Sequence, residues 1–294
     1  MDSAQVEVLR QFNRTVTQRV GALEDGFLAR GRPLGQARVL WEIGDAAAEV
    51  SELRTRLDLD SGYVSRLLRA LEADGLVRVE QRGEDGRERT AVLTAAGKRE
   101  RRLLDQRAAD LAEAILTPLS ESQRGRLVAA MAEVQTLFVA SMVEVAPRLP
   151  ADPAARFCVR SYFRELGQRF EDGFDPTQSI SATDPELTPP AGLMLVATLH
   201  AEPVGCGALR FHADAPAEIK RMWVAPTVRG LGLGGRLLDK LEAQARKAGA
   251  RTVHLETNRS LTEAIAMYRR RGYREVERFN DEPYAHHWFE KDLV

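Results

Sequence analysis

The sequence predicts two domains, a mainly α-helical one followed by an α/β one built on a central mixed sheet. Apart from one hairpin, apolar residues in the first half recur at steps of three and four. Short β-type runs appear in series only from Leu193 onward, interleaved with helical patterns. Between these regimes Pro147, Pro150 and Pro153 punctuate a stretch that reads as a short, stiff linker. The expected division is therefore 1–145, a linker at 146–155, and 156–294. A chain of 294 residues with 44% apolar content can fill a core in each part.

In chain order, Val6, Leu9, Phe12, Val16, Val20, Leu23 and Phe27 predict one long amphipathic helix. Leu34 to Ile43 and Val50 to Leu57 read as two more. Ser61 reads as the N-cap of a helix reaching Asp74 with a buried stripe of Val64, Leu67, Leu68 and Leu71; Gly75 ends it. Leu76 to Gln81 and Thr90 to Leu93 alternate like strands around an Arg82 to Arg87 turn. Ala95 to Leu116 and Ser120 to Val145 are helical, with Leu103, Leu104, Leu111, Ile115, Leu127, Met131, Val134, Phe138 and Met142 as their apolar stripe.

Two short helices joined by a tight turn, the second presenting Ser61, Tyr63, Ser65, Arg66 and Arg69, form a helix-turn-helix, and the hairpin after them a wing. Pattern alone serves equally well for a packed helix pair with a solvated arginine face. The run from Ser51 to Val77, with the later Asp85-Gly86-Arg87 and Leu93-Thr94-Ala95-Ala96-Gly97, resembles the winged helix-turn-helix of the MarR family over about the first half of the chain. The resemblance implies that the Ser61 to Asp74 helix enters a major groove of double-stranded DNA. It also implies that Arg87 and Arg89 reach the minor groove, with Asp85 fixing the wing arginine. The terminal helices would then form a homodimer.

In the second half Val159 to Phe170 reads as a helix. The loop that follows, through Pro190, either shapes an acceptor pocket or is an ordinary surface loop. Leu193 to Thr198 and Gly205 to Phe211 form a hairpin, and Ala217 to Val224 is the next strand. From Arg229 to Gly235 four of seven residues are glycine, leading into a helix with Leu237, Leu238, Leu241 and Ala245 on one face. Glycines Gly230, Gly232, Gly234 and Gly235 let backbone N–H groups converge at the positive end of a helix dipole, an anion cradle; a tight turn without ligand uses the same residues. No Lys-Ser or Lys-Thr follows, which excludes a Walker-type loop, and the absence of a following βαβ pattern disfavours a dinucleotide fold. Thr252 to Glu256, a Leu261 to Arg271 helix closed by Gly272, Tyr273 to Phe279 and His286 to Lys291 complete the pattern.

Arg229-Gly230-Leu231-Gly232-Leu233-Gly234 resembles the Arg/Gln-x-x-Gly-x-Gly/Ala motif of the GCN5-related N-acetyltransferases (GNAT). Ala264, Tyr268, Gly272 and Tyr273 are similar to that family's second motif. The resemblance implies that Arg229 and the glycines hold the pyrophosphate of acetyl-CoA, the acetyl donor. The strand amides around Met222 and Val224 would pair with the pantetheine arm. Tyr268 would protonate the departing thiolate. Many family members carry Asn seven residues before that tyrosine; here Leu261 stands there, with Asn258 three residues further upstream. Acetyl transfer also needs a base for the amine. Glu218 stands six residues before Val224, which in a regular strand puts both on one face, at a position where several GNAT enzymes carry a base glutamate. A surface carboxylate paired with Lys220 or Arg251 fits the same pattern. Glu256, His286 and His287 are further candidates.

A formal net charge of -1 provides no global basic field, so any nucleic-acid site must be a local patch. Cys158 and Cys206 stand apart without a CxxC or a histidine cluster, which reads as buried thiols rather than a disulfide or a metal site. The sequence has no signal-peptide core and no run of apolar residues long enough to span a membrane, so a cytoplasmic location without membrane association is expected. The combined expectation is a DNA-binding regulator that also acetylates a small-molecule or peptide amine. The alternatives are a regulator whose second domain senses acetyl-CoA or a metabolite without turnover, and an enzyme whose first domain only dimerises it.

Overall fold

A computed structural model describes residues 2–22, 27–82, 88–213 and 215–293. The chain forms two compact units, Met1–Met131 and Ala132–Val294.

In the first unit α1 (Ser3–Arg19) is shorter than its apolar periodicity predicts, because the chain turns at Gly21 with φ +67°. Phe27 is buried in a separate 3₁₀ turn and meets Trp41 edge-on at 6.0 Å. Helices α2 (Leu34–Ile43), α3 (Val50–Leu57) and α4 (Ser61–Ala73) follow their patterns. The cap of α4 is Asp60 and not Ser61: its carboxylate accepts from the Tyr63 N–H at 2.9 Å, which makes Ser61 the first helical residue. Val64, Leu67, Leu68 and Leu71 are buried as expected, in one core with Leu40, Leu53, Leu93 and Leu104. A two-residue strand β1 (Ala48–Glu49) joins the hairpin β2 (Val77–Arg82) and β3 (Glu88–Leu93) in the order β1-β3-β2. Two residues are too few to show a period. Helix α5 (Ala95–Leu116) buries Leu104, whereas α1 buries no residue.

The long helix α6 (Glu121–Met142) contains the division between the units and also buries no residue. The stretch expected as a linker is structured. β4 (Glu144–Arg148) pairs antiparallel with β5 (Gly192–Leu199), because Val143 and Val145 reach a core; Pro147, with no N–H to offer, sits on the sheet's terminal strand. Asp152 then caps α7 (Pro153–Arg169), accepting from the Ala154 N–H at 2.8 Å with Pro153 in the first turn, so this helix starts earlier than its apolar pattern.

The seven-stranded sheet runs β4-β5-β6-β7-β8-β10-β9, with β6 (Glu202–Arg210), β7 (Ala217–Val224), β8 (Thr252–Thr257), β9 (Arg274–Val276) and β10 (His287–Asp292). All neighbours are antiparallel except β7 and β8. One face packs Cys158 of α7 on Met194, Val196, Cys206, Ala208 and Trp223. The other packs α8 (Leu233–Lys247) and α9 (Thr262–Arg270) on Leu195, Leu209, Ile219, Leu255 and Phe289. Both cysteines are buried and free.

Two irregularities open this sheet. Cys206 faces Trp223 but Ala208 faces Lys220, so β7 carries one residue more than β6, and Arg221 takes it up at φ +55°. β7 and β8 pair only at Ala217↔Val253 and Glu218↔His254. Beyond Glu218 the ladder ends, and the edge of β7 is left for another partner.

Candidate functional site

A cavity of about 950 Å³ is lined by Met222 and Val224 of β7, the glycine turn, the start of α8, α9, and Tyr162, Glu165 and Arg169 of α7. Gly230 and Gly232 have φ +82° and +73°, and Gly232 caps α8 without a side-chain hydrogen bond. The first turn of α8 carries no acidic residue, so nothing there competes for an anion. A Cβ on Gly234 would stand 3.1 Å from Met267 Sδ, and one on Gly235 2.2 Å from Arg271 Nη2. The glycine turn thus brings a helix N-terminus to the cavity wall, together with Arg229, Arg270 and Arg271.

Arg229 lines the cavity. Its Nε donates to the Val224 carbonyl at 3.1 Å, tying the loop to β7, and its Nη2 lies 2.6 Å from both oxygens of Glu165. Glu165 also accepts from the Trp223 indole at 3.0 Å.

Tyr268 lines the same cavity from α9. Burial, and then the Glu256 carboxylate, push its hydroxyl well above the ordinary tyrosine range, so it keeps its proton.

Glu218 does not join this group. The extra residue at Arg221 reverses the alternation of β7, so Glu218 shares a face with Trp223, and Val224 lies on the other. Its carboxylate lies 3.7 Å from Arg210, 3.5 Å from His212 and 3.0 Å from Lys220, and lines neither the cavity nor its smaller neighbour.

That neighbour, a pocket of about 80 Å³, shares Tyr162, Leu166 and Leu261 with the large cavity. Glu256 lines it, ion-paired with Lys220; His286 and His287 line neither space. Burial pushes the Glu256 carboxyl above its usual range, with Lys220 offsetting only part of this. Burial pulls Lys220 down, but Glu256 and Glu218 outweigh it and hold its ammonium above the ordinary value. Asn258 lines the smaller pocket, bonded to the Tyr284 carbonyl at 2.7 Å and to the Ser260 N–H at 2.9 Å.

Tyr162, Glu165, Arg221 and Lys220 were not singled out as site residues by sequence. An aromatic or charged residue on an amphipathic helix, or on a strand of unknown bulge position, carries no local mark.

In the first unit Ser61, Arg66 and Arg69 are exposed on α4 while Tyr63 and Ser65 are half-buried. The Arg66 guanidinium lies 5.5 Å over the Tyr63 ring, and Arg69 donates to the Ser65 carbonyl at 3.2 Å. Arg89 is half-buried on β3; Arg87 and Asp85 lie outside the described residues. Among the described residues no three His, Cys, Asp or Glu side chains are grouped to hold a metal, and no helix is long and apolar enough to cross a membrane.

The glycine turn, the free edge of β7 and Tyr268 thus stand around one cavity. Residues 159–273 match the acetyltransferase (GNAT) family, and residues 30–88 match the MarR family. An IAA acetyltransferase of Azospirillum brasilense is 35% identical over 133 residues, covering 45% of this chain and 84% of the relative. An uncharacterized N-acetyltransferase of Schizosaccharomyces pombe is 32% identical over 133 residues, covering 42% and 78%. The crystal structure of a GNAT-family acetyltransferase from Staphylococcus aureus Mu50 aligns with a TM-score of 0.45 at 18% identity, covering 52% of this chain and 99% of that one. The chain belongs to the GNAT acetyltransferase family, and its MarR match lies ahead of that domain.

Proposed function

We propose that the second unit moves acetyl from acetyl-CoA to a primary amine, with the donor in the large cavity and the acceptor in the adjoining pocket. The observation that carries this is that the two spaces adjoin, sharing Tyr162, Leu166 and Leu261 as lining, with Tyr268 lining one and Glu256 the other. The cradle amides and Arg229 bind the diphosphate. The free edge of β7 at Met222 and Val224 pairs with the pantetheine amides. Glu256 takes a proton as the amine nitrogen bonds to the acetyl carbon. The carbon–sulfur bond then breaks, and Tyr268 gives its proton to the thiolate. Glu218, on the far side of Lys220, holds that ammonium in place.

In this reading the first unit binds double-stranded DNA through Ser61, Tyr63, Ser65, Arg66 and Arg69 of α4 and through Arg87 and Arg89 of the wing. Its partner is a second copy of the chain: Val6, Leu9 and Phe12 of α1 and Met131 of α6 are exposed apolar side chains of this unit that a two-fold contact would cover.

The test is calorimetric titration of acetyl-CoA into the protein and into a Gly232→Asp, Gly234→Asp variant. Binding by the parent and its loss in the variant support the cradle; no binding by folded parent protein ends the transferase reading. For DNA, Arg66→Ala is expected to reduce the slope of log affinity against log salt by about one. An unchanged slope removes Arg66 from the interface.

A further inference from the structure

The smaller pocket carries a charge with no counter-ion within ion-pair distance among the described residues. Arg221 lines it from the bulge in β7, held at a positive φ that its side chain type rarely adopts. Its guanidinium lies over the Phe163 ring at 5.9 Å and donates from Nη2 to the Ala182 carbonyl. Its Nε is buried without an acceptor, and among the described residues no carboxylate lies within ion-pair distance of it. Burial pulls its ionisation down, with Asp184 compensating from further away. A carbonyl and a ring face are weak company for a half-buried cation. The carboxylates of the same pocket are already engaged. Glu282 accepts from the Ser179 hydroxyl at 2.9 Å and the Ile180 N–H at 2.7 Å, and Glu256 pairs with Lys220. The rest of the wall is apolar and aromatic, with Phe174 5.4 Å from Phe163 and 4.9 Å from Tyr284.

We propose that the acceptor is an amine bearing a carboxylate, an amino acid in the simplest case, with its carboxylate against Arg221 and its amino group facing Glu256. This deepens the transferase reading of the same pocket and rests on it. A pocket of about 80 Å³ beside the cavity admits the polar end of such a molecule, and the aromatic wall receives an apolar side chain. One cation and one base lining the same small space select for a zwitterion.

The test compares amino acids with their decarboxylated amines as acceptors at saturating acetyl-CoA: L-leucine against isoamylamine, and L-phenylalanine against phenethylamine. The parent protein is expected to show kcat/KM at least about tenfold higher for the amino acid, the range of one charge-assisted hydrogen bond. In Arg221→Gln that ratio collapses toward one, and in Arg221→Lys it is partly retained. Equal rates with acid and amine in the parent, or an unchanged ratio in Arg221→Gln, overturn the inference while leaving acetyl transfer intact. A parent protein that binds acetyl-CoA and acetylates only amines without a carboxylate overturns it too. Failure to bind acetyl-CoA at all removes both readings.

Discussion

The large cavity and the small pocket meet at three residues but are built by different means. The cavity rests on backbone: a contiguous glycine turn, a helix N-terminus and a strand edge released from its ladder. The pocket rests on side chains from α7, the loop that follows it, β7, β8 and the segment before β10, so its residues range from Tyr162 to Ala285. Backbone recognition suits a donor whose diphosphate never changes, and side-chain recognition suits an acceptor that differs between enzymes. A short local motif can encode the first. The second exists only after distant segments have packed.

The largest way to break this division is at the tyrosine that lines the large cavity alone. Tyr268→Phe is expected to lower kcat by about a thousandfold with acetyl-CoA affinity retained, within the range of positioned proton transfer; parent-like turnover would remove Tyr268 as the acid. Next is the base. Glu256→Gln is expected to lower kcat/KM for the amine by on the order of a hundredfold. Glu256 works ionised, and its carboxyl is raised by burial more than Lys220 lowers it, so activity should rise with pH through a limb above the ordinary carboxylate range. Lys220→Met removes the compensating charge and should move that limb higher still, whereas a limb at the usual carboxylate position in both proteins would place the base elsewhere.

On the donor side, Arg229→Ala should raise the KM for acetyl-CoA about tenfold with kcat nearly retained, since a phosphate contact is made equally in ground and transition states. The smallest effect is expected at its partner. Glu165→Gln frees Arg229 from a partly exposed ion pair and should lower the KM for acetyl-CoA by no more than about fivefold. A rise instead would mean that Glu165 positions the arginine rather than competing with its ligand.

Legibility in the sequence follows the same division. The stripes of α4 and α8 and the cradle from Arg229 to Gly235 could be read directly, because their periods and special backbone angles are local. Glu218 shows the opposite case. Its placement beside Val224 assumed unbroken alternation, and one extra residue at Arg221 put it on the other face. The 146–155 stretch misled for a related reason. Proline marks a break wherever it stands in isolation, but a terminal strand leaves its missing N–H without cost, and Val145 made that strand worth burying.

By itself, then, the sequence determined the order of helices and strands, the two families whose motifs it carries, the glycine turn ahead of α8 and the tyrosine on α9, since each depends on residues close together in the chain. Tertiary structure alone decided that Glu256 and not Glu218 lines the small pocket, and how Arg221 came to line it. Those positions depend on a bulge and on the packing of segments a hundred residues apart, and no local period records them.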